Sequence, residues 1–281
     1  MKIGVNTFIW SASFEKEHLP LLATIKEKGF DVVELTRFEW DHFPAVEIRR
    51  ELERVGLEVS FCTAFGNKDV SLVAATAEGR ATAKIYLKRA IESMAAIGCK
   101  MLAGPFHSPV GYLPGRRRSE DEWKWEVDAL KELGDTCEQY DVTLAVEPLN
   151  RFESYFLNTA ADASRLCDEV DHRRIGILYD TFHANIEEKD QASAIRTVAK
   201  HLVHVHSCEN DRGTPGSGHV EWPVVFGALR EAGYDGYVVI ESFGFAIKEI
   251  SAAACIWRDL ASSPDAIAWD GLKFLRAGLG G

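Results

Sequence analysis

Residues 143–180, TLAVEPLNRFESYFLNTAADASRLCDEVDHRRIGILYD, contain one strand–helix–strand unit of the predicted fold. The segment begins with the short apolar run Thr143–Glu147 and ends with a second run, Ile175–Asp180. Between these runs, apolar residues recur at helical spacing over 159–171. Apolar runs with little alternation are typical of parallel strands that are buried on both faces. The segment therefore predicts a strand, a helix and a second, parallel strand.

The same unit recurs along the chain. Six further runs resemble these two strands: Lys2–Asn6, Asp31–Leu35, Leu57–Thr63, Lys100–Ala103, Leu202–His206 and Tyr237–Glu241. Helical spacing fills the intervals over 15–29, 44–56, 77–98, 119–140, 159–171, 187–200, 221–233 and 246–262, and a last helix is expected around Ala266–Arg276. Ser119 and Glu122 have the spacing of a capping box at a helix start. Glycine commonly ends a helix. Four glycines lie just before a predicted strand: Gly29, Gly56, Gly98 and Gly233.

Eight strand–helix units in 281 residues predict one α/β domain over 1–281, a (β/α)8 TIM barrel. The rival is a doubly wound open sheet. That fold normally has a glycine-rich GxGxxG turn after its first strand, and Asn6–Trp10 contains none. Barrel enzymes carry their active sites at the carboxyl ends of the strands, so those positions hold the candidate functional residues.

Composition excludes several classes of partner. The net charge is −11, from 43 acidic and 32 basic residues, and such a surface repels nucleic acid and anionic lipid. No apolar stretch reaches the roughly 18 residues that span a bilayer, and no cleavable signal peptide is predicted. The six cysteines form no CxxC pair, which is typical of reduced thiols, so a cytoplasmic location is expected.

Four consecutive predicted strands end in a side chain that can bind a metal: Glu147, Asp180, His206 and Glu241. Three carboxylates at one rim would repel one another unless a cation lay among them. Carboxylate oxygens with one imidazole suit Mn²⁺, Mg²⁺ or Co²⁺ better than structural zinc. We therefore predict one divalent ion per subunit, with Mn²⁺ as first choice. The alternative is a buried hydrogen-bonded network without metal.

Further side chains follow the same strand ends. Glu153, His183 and Arg212 lie in the loops after strands five, six and seven, and we expect them to contact a substrate. Each of them alone would also be typical of an ordinary polar loop. Four aromatic residues follow strands one, three and four: Phe8, Trp10, Phe65 and Phe106. We expect them to form one wall of the pocket, which would suit the apolar face of a sugar. The alternative is that they pack within their loops.

Two further polar residues, Glu34 and His204, lie within the predicted strands. Glu34, near the end of strand two, either faces the site or pairs with a neighbour such as Arg37. His204 lies two residues before His206 on the same strand, so its side chain lies on the same face but lower. We expect His204 to be structural and not a second ligand.

In its second half the chain resembles the ketose 3-epimerases, the D-tagatose, D-allulose and L-ribulose 3-epimerase group of the xylose-isomerase-like barrels. The matching stretches are EPLNRFESYFLNTAADA at 147–163, LYDTFHANIEE at 178–188, HVHSCENDRGTPGSGHVEW at 204–222 and VVIESF at 238–243. The resemblance implies that the four strand-end residues hold the metal. It also implies that the three loop residues hold the oxygens at the first two sugar carbons, and that first-half loops recognise the far end of the sugar.

The expected reaction is inversion of C3 of a free ketose through a cis-enediolate. Metal at the carbonyl oxygen stabilises that species, while Glu147 and Glu241 remove and return a proton on opposite faces. Each glutamate needs a free second oxygen for this role. The nearest alternative is an aldose–ketose or hydroxypyruvate-type isomerase on the same barrel. The others are a zinc endonuclease, which the acidic charge disfavours, and an inactive sugar-binding protein.

The sequence also predicts a homo-oligomer. Trp222, Trp257 and Trp269 are expected on the outside of the helices, where they would serve a two-fold interface. The resemblance implies a homodimer or a homotetramer.

Overall fold

Eight parallel strands close a barrel within the described residues, 1–245 and 247–280 of the computed structural model. Each strand pairs with the next one in sequence, and β1 pairs with β8 to close the ring. The strands are β1 (Lys2–Asn6), β2 (Val32–Thr36), β3 (Glu58–Cys62), β4 (Met101–Gly104), β5 (Thr143–Val146), β6 (Ile175–Asp180), β7 (Leu202–Ser207) and β8 (Tyr237–Ile240). These bounds confirm the predicted barrel, and every strand end lies within one residue of its predicted position.

Helices connect the strands and cover the outside of the barrel. They are α1 (Leu19–Lys28), α2 (Ala45–Val55), α3 (Ala77–Ala95), α4 (Glu120–Tyr140), α5 (Ala160–Val170), α6 (Thr181–Glu187), α7 (Gln191–Val198), α8 (Trp222–Glu231), α9 (Lys248–Ala253) and α10 (Pro264–Leu279), with short 3-10 turns at Thr7–Ile9 and Lys16–His18. The capping box is confirmed, since Ser119 and Glu122 exchange side-chain-to-backbone hydrogen bonds at the start of α4. Gly29 ends α1 with a φ of 104°, a conformation that favours glycine.

Two helix predictions need correction. The stretch 187–200 is divided, because α6 already ends at Glu187 and Asp190 caps a separate helix, α7. The stretch 246–262 contains only the six residues of α9. Residue 246, where this helix was predicted to begin, and residue 281, the predicted end of the domain, lie outside the described residues. Cys255 adopts a left-handed φ of 54° just beyond α9, which a continuing helix does not permit.

Strand residues and inward-facing helix residues form the core. Every residue of β2 and of β6 is buried, as expected for strands covered on both faces.

Trp222 was expected on the outside of the helices, and that prediction is wrong. The residue is 4% exposed, and its indole donates to Glu209. Trp257 is 77% exposed, whereas Trp269 is partly buried.

None of the described helices is both long enough and apolar enough to cross a membrane.

Candidate active site

The four strand-end residues meet at one rim of the barrel. Glu147, Asp180, His206 and Glu241 each offer a ligand atom, and these atoms all lie within 4.8 Å of one another. All four side chains are buried. The parallel register explains the meeting, because Asp180 is the strand partner of His206 and the carboxyl ends of β5 to β8 lie side by side. The residues therefore form one candidate metal-binding cluster.

The three acids of this cluster differ in pKa. Burial, with a further contribution from Glu241, raises the pKa of Glu147 well above its usual value. Burial also raises the pKa of Asp180 to about 7, although Arg212 opposes the effect. For Glu241 burial would raise the pKa, but the positive charges of His206 and Arg212 hold it at about 2. The raised pKa values of Glu147 and Asp180 reflect the cost of ionising three acids in one dry cluster, a cost that a bound cation would offset.

Two atoms facing this cluster are left without a hydrogen bond. Glu147 Oε1 and His206 Nδ1 are buried, and neither has a partner among the described residues. The two atoms lie 3.9 Å apart, and Glu241 Oε1 lies 3.4 Å from the same nitrogen. Buried polar atoms without a partner are rare because their desolvation is costly. Oxygen atoms with one imidazole nitrogen are a donor set that fits a divalent ion such as Mn²⁺ or Mg²⁺.

Arg212 lies against the cluster and is itself buried. Its Nη1 donates to Asp180 Oδ2 at 3.1 Å and to Glu241 Oε2 at 2.6 Å. The guanidinium also stacks over the ring of Phe182, 3.8 Å from its centre. These contacts fix the arginine by charge, hydrogen bonds and aromatic packing together. Arg212 therefore supplies a permanent positive charge beside two of the acids.

His183 directs its Nε2 toward the cluster. Its Nδ1 accepts a hydrogen bond from the backbone N–H of Asn150 at 3.0 Å, and its Nε2 lies 3.2 Å from Arg212 Nη2. Burial lowers the pKa of His183 well below its usual value, which keeps the ring neutral. Nε2 lies 3.6 Å from Glu147 Oε1 and 3.8 Å from Asp180 Oδ2. His183 is thus a fixed, neutral ring at the centre of the site.

Glu153 lies at the edge of this group. Its Oε1 accepts from Asn150 Nδ2 at 2.9 Å and lies 3.9 Å from Arg212 Nη2. The side chain is about one-third exposed, in contrast to the buried cluster below it. The three predicted loop residues are therefore neighbours at the mouth of the site.

The four predicted aromatic residues are not brought together. Phe8 stacks on Phe243 with ring centres 5.2 Å apart, and Phe243 in turn lies under the guanidinium of Arg212. Trp10 lies against α10, where its indole donates to Asp265 at 2.6 Å. The remaining two rings are in the core: Phe65 packs on Tyr86 of α3, and Phe106 is fully buried. Only Phe8 shares an aromatic cluster with a ring that contacts Arg212.

Sequence reasoning missed several residues that shape the site. Phe182 and Phe243 each follow a strand-end acid by two residues, a spacing that could have identified them. His107 Nε2 bonds the backbone oxygen of Glu147 at 2.9 Å and lies in the loop after β4. No local signal marks His107.

Glu34 was expected either to face the site or to pair with a neighbour such as Arg37. It does not pair with Arg37, whose Nη1 donates to the backbone oxygen of Phe14. Its carboxylate instead lies 2.7 Å from His206 Nε2.

Glu209 was also missed, and it orders the loop that carries Arg212. The carboxylate is fully buried and accepts hydrogen bonds from the backbone N–H groups of Gly216 and Val220. It also accepts from the Trp222 indole at 2.9 Å, while its backbone oxygen accepts from Arg212 N. The loop between β7 and α8 is thus closed around one acid.

Comparison with known proteins places this architecture in a family. Residues 22–277 match the family model described as Xylose isomerase-like TIM barrel. A probable ketose 3-epimerase of Synechocystis is 40% identical over 98% of this chain and 96% of its own length. An L-ribulose 3-epimerase of Mesorhizobium japonicum is 31% identical over 99% of this chain and 94% of its own length.

Solved structures agree with these sequence matches. A D-psicose 3-epimerase crystallised in the presence of D-fructose superposes with a TM-score of 0.91 at 28% identity, with both chains fully covered. An L-ribulose 3-epimerase structure superposes with a TM-score of 0.94 at 30% identity, covering 99% of this chain and 94% of that one. The chain therefore belongs to the xylose isomerase-like TIM barrel family and, within it, to the ketose 3-epimerase group of isomerases.

Proposed function

We propose that this protein inverts C3 of free ketoses of the D-tagatose, D-fructose/D-allulose or L-ribulose type. One observation carries the proposal: Glu147 and Glu241 flank His206 in the same buried cluster, with carboxylate oxygens 3.9 Å and 3.4 Å from its Nδ1. Inversion needs one group that removes a proton from carbon and another that returns one to the opposite face. The names of the relatives given above support the same reaction.

We propose one divalent ion per subunit, Mn²⁺ first and Mg²⁺ or Co²⁺ as substitutes, held by Glu147, Asp180, His206 and Glu241. A bound ion of this kind would polarise the ketose carbonyl and stabilise the negative charge that develops when the C3 proton leaves. The unpartnered atoms of Glu147 and His206 support this ligand set. Oxygen-rich coordination supports Mn²⁺ or Mg²⁺ over zinc.

The protein's own residues orient the sugar and move the proton. His183 Nε2 and the Arg212 guanidinium lie 3.2 Å apart at the site, and we assign both to the oxygens at C1 and C2 of the sugar. Glu153 is an acceptor at the mouth for a sugar hydroxyl. Phe8 and Phe243 form an apolar surface beside them, suited to the C–H face of a sugar. Burial of the acids keeps water from competing for the proton.

The two glutamates differ in how free they are to act. Glu147 Oε1, the atom that faces the proposed ion, has no partner in the described part of the chain, and no hydrogen bond within the described residues reaches the second oxygen, which is free to accept the C3 proton. Glu241 Oε2 accepts from Arg212, so at rest the second oxygen of Glu241 is not free. For Glu241 to act, Arg212 has to transfer that hydrogen bond to a sugar oxygen. Substrate binding and release of Glu241 are thereby linked.

A panel of free ketoses tests the proposed function. The Mn²⁺-loaded protein is incubated with D-tagatose, D-fructose, D-allulose and L-ribulose, and the products are resolved by chromatography. We expect each accepted ketose to give its C3 epimer. Formation of an aldose would instead support the aldose–ketose isomerase, and absence of any conversion would support a sugar-binding protein.

We also propose that the protein is a cytoplasmic homodimer or homotetramer. The loops after β4 and β5 expose Val110, Leu113 and Phe152, and Gly111 N donates to Glu153 O to hold these loops together. Large apolar residues exposed on neighbouring loops are typical of a surface that a second copy covers. Light scattering should give a multiple of the chain mass, and a monomer at micromolar concentration would contradict the proposal.

The cysteines support the proposed cytoplasmic location, because all six are free thiols in the described chain.

A further inference from the structure

His206 belongs to two overlapping groups of potential metal ligands. One is the strand-end cluster with Glu147, Asp180 and Glu241, and the other combines His206 with Glu34 and His204. An imidazole has two nitrogens, and here they face opposite groups. Nδ1 faces the strand-end acids, while Nε2 lies 2.7 Å from Glu34 Oε1. The contacts of Glu34 decide which group binds an ion.

The carboxylate of Glu34 is saturated with hydrogen bonds. Oε1 accepts from Asn6 Nδ2 at 2.9 Å and from His206 Nε2 at 2.7 Å. Oε2 accepts from Ser60 Oγ at 2.9 Å and from His204 Nε2 at 2.7 Å. These four bonds fill the roughly four acceptor positions of a carboxylate. All five residues are fully buried, so water does not compete for these positions.

We infer that Glu34 is a positioning residue that holds His206 with its Nε2–H toward the barrel interior and its Nδ1 toward the metal. A histidine ligand commonly donates its other N–H to a carboxylate, which fixes the ring and raises the basicity of the ligating nitrogen. The group of Glu34, His204 and His206 is then a support for the metal centre and not a second ion site. The inference rests on the metal ligands proposed above.

The position requires a carboxylate in particular. Four N–H or O–H groups converge on Glu34, and a glutamine would offer one acceptor oxygen and one NH₂ donor to them. Whichever way that amide is oriented, the negative charge beside His206 is lost. We therefore expect weaker metal binding even where the fold is retained.

Calorimetric titration of chelator-treated protein with Mn²⁺ tests this inference directly. Wild type should bind one ion per chain, and Glu34→Gln should bind the same number about 10- to 100-fold more weakly. Ser60→Ala is the matched control, because it removes one donor on the Oε2 side and leaves the His206 contact in place; its affinity should remain close to wild type. Circular dichroism and melting temperature verify that each variant is folded.

The other outcomes distinguish failure of the positioning role from failure of the proposed metal site. Wild-type affinity in Glu34→Gln would overturn the positioning role. Two ions bound by wild type and one by the variant would make Glu34 a ligand, which also overturns it. No Mn²⁺ binding by wild type would refute the proposed metal site itself and the inference with it.

A second measurement on the wild type does not depend on a variant that folds. Long-range ¹H–¹⁵N correlation spectra of histidine-labelled protein loaded with diamagnetic Mg²⁺ identify the protonated nitrogen of His206. We expect the proton on Nε2. A proton on Nδ1 would contradict the inference.

Discussion

Arg212 Nη1 donates to Glu241 Oε2 at 2.6 Å, and the same nitrogen donates to Asp180. One arginine thus restrains two of the acids at the metal centre, whereas Glu147 Oε1 is left without a hydrogen bond within the described residues. The two proposed proton carriers are therefore unequal before substrate arrives. This difference gives the acid pair distinct experimental signatures.

Both glutamates should be needed for turnover. Glu147→Gln and Glu241→Gln retain size and an oxygen ligand but lose the base, so each should lower kcat by about 100-fold or more. Glu241→Gln should also lower KM, because Arg212 no longer has to give up a hydrogen bond to a charged carboxylate before it binds a sugar oxygen. Steady-state kinetics with metal content measured for each preparation check both effects. A near-wild-type kcat in either fully metal-loaded variant would remove that residue from proton transfer.

Metal removal should abolish activity and lower stability together. The strand-end carboxylates lie within one buried cluster, and a bound ion stabilises the folded state in proportion to its concentration over its Kd. We expect chelation to stop epimerisation, and Mn²⁺ or Co²⁺ to restore it along with the melting temperature. Full turnover in a preparation shown to be metal-free would contradict this account.

Glu209→Gln should impair the reaction without touching the metal ligands. Its carboxylate accepts hydrogen bonds from three backbone N–H groups of the loop that carries Arg212 and from the indole of Trp222 in α8, and an amide places a donor against some of those N–H groups. We expect lower kcat/KM with Mn²⁺ affinity unchanged. Glu221→Gln is the control on the same loop, because Glu221 is exposed and makes no side-chain cap bond. Equal kinetics for the two variants would show that Glu209 does not position Arg212.

Glu126 should make stability depend on pH. Its side chain is fully buried in α4, and both oxygens are without partners in the part of the chain that the structure describes. Burial raises the pKa of Glu126 well above 4.5, so the folded state favours the neutral acid. A group whose pKa is higher in the folded state contributes stability below its unfolded pKa, and that contribution is lost as pH rises through the folded pKa.

Melting temperatures from pH 4.5 to pH 9 test this prediction. Glu126→Gln cannot ionise, so its melting temperature should rise relative to wild type as the pH increases. Asp128→Asn, on the exposed face of the same helix, should follow wild type. Parallel curves for wild type and Glu126→Gln would show that Glu126 does not carry the effect.

The sequence was sufficient for features that depend on local pattern. Apolar runs predicted all eight strands, and the last residue of four of them identified Glu147, Asp180, His206 and Glu241, which the barrel brings together. The parts that could not be predicted depend on contacts between distant residues. Glu34 meets His206 across 172 positions, and only closure of the barrel places them 2.7 Å apart.

The aromatic residues illustrate the same limit on a smaller scale. Phe8 and Phe106 both follow a strand end, but one lies beside Phe243 at the site and the other is fully buried. Loop conformation decides the difference, and no periodic pattern encodes it. Helix α6 escaped prediction because it has only seven residues, which is too short for a clear helical repeat.

The position of solvent deuterium in the product reports whether C3 is inverted by proton transfer. If Glu147 and Glu241 remove and return different protons on opposite faces of C3, and each exchanges with solvent between turnovers, a ketose epimerised in D₂O gains deuterium at C3. NMR of the product after partial turnover reads the label. We predict deuterium at C3 and none at C1. Deuterium at C1 or C2 of the product would identify an aldose–ketose isomerase, and an epimer without solvent label would contradict proton transfer through the two glutamates.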